Sequence, residues 1–186
     1  MPYIGQTITD VFPTSINVDT ATIATANISN QLTDANMSAG SAVQVVNVQS
    51  GAVATGTTAM PLDDTIPQIT EGDEFMTLAI TPTSASNKLR IEVLVNCASS
   101  TTTDTKIALF VGTTANALSV SDIFGTADWR KQPQINYYMT AGATSELTFR
   151  VRGGGSNGTF TFNGYGSARK FGGTFISSIT ITEIAV

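Results

Sequence analysis

Five carboxylates, Asp63, Asp64, Glu71, Asp73 and Glu74, crowd the stretch DDTIPQITEGDE. Carboxylates this dense can hold a calcium ion or supply the acid and base of glycoside cleavage. The spacing does not match an EF-hand loop, and Pro61 and Pro67 favour an extended path. The expected outcome is a solvated acidic loop without a metal. A second pattern, GGGSNG at Gly153–Gly158, has the spacing G-x-G-x-x-G. That fingerprint cradles a pyrophosphate only when a strand precedes it and a helix follows. Here the strand-like TFTFNG follows, so the run is expected to be a hairpin loop, and no cofactor is called for. The chain has no histidine and one cysteine, Cys97. A serine nucleophile therefore lacks its usual base. Cys97 falls on the inward side of a strand pattern and reads as a small buried hydrophobe. No catalytic residue is expected, and the chain is read as a non-enzyme. The last third is richer: Trp129, Arg130, Lys131, Tyr137, Tyr138, Arg169 and Lys170. Aromatic rings beside cations can stack on sugars and bind anionic polymers, and Trp129, Tyr137 and Tyr138 are the candidate glycan contacts. The competing reading is that these rings pack at a sheet edge with their polar ends in water.

These side chains must be positioned by strands, because from about Ser41 onward the hydrophobic period is two. KLRIEVLVNC places Leu89, Ile91, Val93, Val95 and Cys97 on one face. FMTLAIT alternates through Met76, Leu78 and Ile80, and KIALFVG through Ile107, Leu109 and Val111. QINYYMT, ELTFRVR, TFTFNG and the closing SSITITEI continue the pattern. AVQVVNVQ reads with Val43, Val45 and Val48 inward and a bulge at Val46. Further strands are candidates near Met60 and Val120. Charged residues are only 12% of the chain, about half the usual share. Its polar surface is Thr, Ser and Asn, which suits pleated sheets. The expectation is an all-β fold, an antiparallel two-sheet sandwich and most economically a jelly roll, over residues 42–186.

Residues 1–41 follow another rule. Their large apolar side chains, among them Tyr3, Ile4, Ile8, Phe12, Ile16, Val18, Ile23 and Ile28, are too sparse and irregular to build a core. TATIATANIS has many β-branched residues and no charge, unlike a solvated linker. This segment is expected to be an extended arm or intertwined stem whose isoleucines are buried by other chains. The start MPYIGQTITDVF lacks a basic region followed by an apolar run, so no secretory signal is expected, and no apolar stretch is long enough for a transmembrane helix. Residues 1–128 carry 12 acidic and 3 basic side chains, whereas residues 129–186 carry 2 acidic and 6 basic. The net charge of −5 disfavours nucleic acid as a partner.

The blocks MPYIGQ, TATIATANISNQLTDANMSAGS, DDTIPQITEGDEFMTLAITPTSASNKLRIEV and RKFGGTFISSITITEIAV resemble surface proteins of tailed bacteriophages, particularly marine and cyanobacterial ones. The resemblance implies a virion component with a β-rich knob, either a capsid decoration (cement) protein or a tail fibre, and it implies trimers. Three copies of Val18, Ile23 and Ile28 could then meet on a shared axis. The expected partners are the chain itself as a homotrimer, the major capsid protein or another virion protein, and a host surface glycan. Neither nucleic acid nor membrane is among them. The expected place is the virion surface, after synthesis in the host cytoplasm. A leader of this length reaches about 130 Å at most, at about 3.3 Å per residue. That favours a short anchor over a long fibre shaft.

Overall fold

The computed structural model describes residues 37–186. The anchoring residues Tyr3 to Ile28 named above lie outside the described residues. Thirteen strands follow in order: β1 (Ala42–Ser50), β2 (Ala54–Gly56), β3 (Asp73–Ile80), β4 (Lys88–Leu94), β5 (Cys97–Ser99), β6 (Thr103–Val111), β7 (Ser119–Gly125), β8 (Gln134–Thr140), β9 (Leu147–Gly155), β10 (Phe160–Phe162), β11 (Gly164–Tyr165), β12 (Ala168–Arg169) and β13 (Ser177–Ile184). A single 3-10 turn, Phe171–Gly173, is the only helical element among the described residues.

Eight strands have seven residues or more: β1, β3, β4, β6, β7, β8, β9 and β13. They form two four-stranded antiparallel sheets, β1-β13-β4-β8 and β3-β9-β6-β7. Counted among these eight, the sheets run first-eighth-third-sixth and second-seventh-fourth-fifth. That interleaving, in which every pair of chain neighbours except β6 and β7 is split between the two sheets, is a jelly roll. A small third sheet, β2-β10-β5, closes one end, and β11 pairs with β12 beside it.

The period of two explains the layers. Leu89, Ile91 and Val93 of β4, Ile179 and Ile181 of β13 and Ile135 of β8 meet Met76, Ile80, Ile107, Leu109, Phe149 and Val151 from the facing sheet. Each such fully buried side chain contributes about 1.5–3 kcal/mol before entropy. Phe75 stacks on Phe160 and Phe162, with ring centroids 5.0 and 5.2 Å apart, and seals the end under the small sheet.

Three local expectations are corrected. In β1 the register shift falls between Ala42 and Gln44, not at Val46. Val46 and Val48 therefore pair with Ile181 and Ile179 and pack on the core, while Val45 is exposed. A one-residue slip exchanges the faces of a whole strand. Met60 is not in a strand. It sits in the long β2–β3 connection, which lies over the outer face of the second sheet and buries Ala108 and Phe110 with Met60. The Met60 N–H donates to the Gly155 carbonyl and the Ala117 N–H to that of Pro67. Finally, GGGSNG is not the loop of a paired hairpin. Gly153, Gly154 and Gly155 belong to β9, which pairs with β3 and β6, while β10 pairs with β2 and β5. The glycines permit close approach: a Cβ at Gly153 would lie 2.6 Å from Phe160 Cζ, and one at Gly154 2.8 Å from the Thr58 carbonyl oxygen.

Glu183 of β13 is fully buried. Its carboxylate accepts hydrogen bonds from Gln44 Nε2 (2.6 Å), Asn87 Nδ2 (2.8 Å), Thr83 N and Oγ1 (both 2.9 Å) and Ser84 N (3.3 Å). Burial alone would raise its pKa, but the side-chain bonds from Gln44, Asn87 and Thr83 and the Ser84 N–H outweigh it, holding the carboxyl below the usual glutamate range. This contact fastens the β3–β4 turn to β1 and β13.

Candidate functional site

Two loops meet beside the small third sheet, at the end of the sandwich opposite Glu183. The β7–β8 loop is fixed at two points. Lys131 and Cys97 exchange backbone hydrogen bonds of 2.8 and 2.9 Å, and the buried Lys131 ammonium donates to the Thr103 carbonyl (2.9 Å) and Thr105 Oγ1 (2.5 Å). Asp128, at a left-handed φ of 55°, donates its N–H to the Ser99 carbonyl, and its Oδ1 accepts from the Gly166 N–H at 3.0 Å. Gly166 lies in the second loop, so Asp128 ties the two together. Between the two fixed points, Trp129 and Arg130 are exposed.

The β10–β13 connection starts at Asn163, a buried residue with φ of 55°. Its amide donates to the Ser50 and Ala52 carbonyls, and its Oδ1 accepts from Ser177 Oγ at 2.6 Å. Tyr165 and Ala168 pair across a two-residue turn, Gly166–Ser167, with positive φ at both residues, the signature of a type I′ turn. Arg169, Lys170 and the 3-10 turn follow. The Lys170 ammonium stands 4.2 Å from the centroid of the Tyr165 ring and the Arg130 guanidinium carbon 5.2 Å. Phe171 is 64% exposed and touches Phe175 edge to face, with centroids 6.0 Å apart.

The result is an aromatic and cationic corner. Of the three candidate glycan contacts, only Trp129 belongs to it, at 65% exposure. Tyr137 packs against the core, and Tyr138 lies on the outer face of β8, where its ladder partner Arg90 places its guanidinium 6.0 Å from the ring centroid. Neighbours in a strand point to opposite faces, so the two tyrosines could not share a surface. Lys131 is buried instead of exposed, because its backbone bridge to Cys97 turns the side chain inward. Tyr165 and Phe171 were missed. Both sit in loops without periodicity; the one signal was the basic pair Arg169–Lys170 flanked by aromatics in YGSARKF.

The other chemistry-bearing residues disperse. Asp73 accepts from the backbone and hydroxyl of Thr58, and Glu71 from the Gln68 N–H. Glu74 pairs with Arg150 at 3.1 Å and Arg152 at 3.8 Å. Asp63 accepts from the Thr65 hydroxyl and N–H, and these bonds lower its pKa. Thus Asp73 and Glu74 are strand residues with partners, not members of a solvated loop. Among the described residues no group of three or more His, Cys, Asp and Glu side chains could hold a metal. Burial pushes the Cys97 thiol up to about 12, so it carries no thiolate at neutral pH. Among the described residues no helix is long and apolar enough to cross a membrane.

A second surface lies along edge strand β7. Val120 and Phe124 face outward beside Ala108 and Asp104 of β6. Val120 and Ile66 border a depression of about 420 Å³ between the 63–67 segment and the start of β7. Ile66, Leu62 and Phe124, the last at 68% exposure, are open to solvent.

No family model matches the chain, and no curated protein matches its sequence. Solved structures share its general shape. The Eiger TNF of S. frugiperda is 10% identical, covering 76% of this chain and 93% of that one, with a TM-score of 0.44. The carbohydrate-binding module CBM36, in complex with calcium and xylotriose, is 13% identical over 73% and 98%, with a TM-score of 0.37. The VP2 subviral particle of infectious bursal disease virus is 12% identical over 78% and 39%, at 0.31. At this level such likenesses carry no functional information.

Proposed function

We propose that this chain is a structural protein of a tailed-phage virion surface, of the capsid decoration type. It works as a homotrimer. Its leader, residues 1–41, grips the major capsid protein or another virion protein through Tyr3, Ile4, Ile8, Phe12 and Ile16, while Val18, Ile23 and Ile28 meet their copies. The jelly roll projects. Burying each large side chain supplies about 1.5–3 kcal/mol before association costs, and three arms bind with avidity. The mechanism is mechanical: added contacts across capsid-subunit junctions resist internal pressure.

The observation that carries the assembly is the β7 edge. The sandwich packs its interior with its own strands, yet leaves Ile66, Val120 and Phe124 uncovered along a sheet edge. Exposed apolar edges are association sites unless something covers them. The resemblance of the sequence blocks to phage surface proteins supports the virion surface as the location. Counting copies per particle tests it: hundreds support decoration, and a few dozen or fewer support a tail. Deleting residues 1–20 is expected to leave a folded sandwich that no longer joins particles. A second reading, a fibre or receptor-binding tip that recognises host surface glycans, is favoured by the Trp129–Arg130–Tyr165 corner.

A further inference from the structure

The geometry points to a binding site for an anionic polysaccharide, one bearing carboxylate or sulfate groups, on the corner formed by Trp129, Arg130, Tyr165, Arg169, Lys170 and Phe171. This rests on reading that surface as glycan-binding, and not on where in the virion the chain sits.

Charge is the first argument. Arg90, Lys106, Arg150 and Arg152 each lie within 4.0 Å of a carboxylate. Of the five cations without such a partner among the described residues, Lys131 is buried and Lys88 opens β4 at the opposite end, which leaves Arg130, Arg169 and Lys170, and Asp128 beside them turns its Oδ1 to the Gly166 N–H. A protein with a net charge of −5 thus leaves three cations open on one pair of loops. Preorganisation is the second. The Tyr165 ring holds two of these cations, Lys170 at 4.2 Å and Arg130 at 5.2 Å. Cations fixed on a ring lose less freedom when an anion arrives. Strain is the third. Phe171 adopts φ of +49°, a conformation a bulky side chain rarely takes, and it gains no burial there. Strained residues of this kind cluster at ligand-binding surfaces.

The parts divide the work. A guanidinium pairs with both oxygens of a carboxylate or sulfate. The open rings of Trp129 and Phe171 offer flat apolar faces to the C–H face of a sugar. Duplex DNA, with one charge per about 1.7 Å, needs a longer basic track than three cations on an acidic protein provide. A polysaccharide, with its sparser charges and apolar sugar faces, fits better.

The test uses the full-length protein and four probes: alginate for carboxylate, dextran sulfate for sulfate, neutral dextran and a DNA duplex. Binding to alginate or dextran sulfate is expected, the stronger of the two naming the anionic group. The double variant Arg130→Gln/Lys170→Gln should weaken it at least about tenfold, as should Lys170→Glu, with thermal unfolding confirming the fold. Trp129→Ala should weaken it too, whereas Arg90→Gln, on the outer face of β4, should leave it unchanged. DNA bound as tightly as either acidic polymer, or polymer binding untouched by the double variant, overturns the proposal. Equal binding of neutral dextran, lost in Trp129→Ala, overturns the anionic specificity but keeps the glycan reading. Binding to none of the sugar probes overturns both.

Discussion

Glu183 and the Arg130–Lys170 pair sit at opposite ends of one sandwich. In the registers of β13 and β8 on β4, Glu183 lies near the Lys88 end, and the loop leading into β8 lies at the Leu94 end. Glu183 is fully buried and receives donors from Gln44 of β1 and from Thr83, Ser84 and Asn87 of the β3–β4 turn. Arg130 and Lys170 share only an aromatic ring between them. One charge is enclosed by the fold and helps to close it. The others are held in place but unanswered, an arrangement suited to a ligand more than to stability. Lys131 stands between the cases: it is buried like Glu183, yet has only two neutral acceptors.

Substitutions can break this ordering. Glu183→Leu removes the acceptor shared by Gln44, Thr83, Ser84 and Asn87 and should cost about 3 kcal/mol or more in denaturant unfolding. Because its folded pKa is depressed below the ordinary glutamate value of 4.5, its contribution is complete above that value. It is lost as the pH falls through the lower folded value, so acid unfolding of Glu183→Leu should be less pH-dependent than that of the natural chain. Lys131→Met should cost less, about 1 kcal/mol, since removing a buried charge offsets the lost hydrogen bonds. Burial lowers the Lys131 pKa from 10.5. The folded state then releases its proton before the unfolded state does. The natural chain should therefore gain stability over Lys131→Met as the pH climbs toward 10.5. Arg130→Gln and Lys170→Gln should change stability by less than about 0.5 kcal/mol, as surface changes do. A large loss there would mean that the corner is structural.

Much of the sandwich was legible because it repeats every two residues: Leu89 to Cys97, Met76 to Ile80 and Leu147 to Val151 face as the alternation demands. What periodicity could not convey is what a side chain meets from far along the sequence. Glu183 has the same parity as Ile179 and Ile181, a hint that it faces inward, but its donors lie about 100 residues or more away. The same long reach draws Gln44 inward and moves the β1 irregularity to Val43. The corner was half legible. Its residue types stood out, but which ones share a surface depends on Asp128 reaching Gly166 and on the pairing of Gly164–Tyr165 with Ala168–Arg169.

Central to the proposed role is association through apolar surface that the sandwich does not use itself. Sedimentation equilibrium of the full-length chain at micromolar concentration measures this directly. A trimer is predicted in solution, with Phe124→Asp weakening the assembly. A full-length chain that remains a monomer of 19.4 kDa across that range contradicts it.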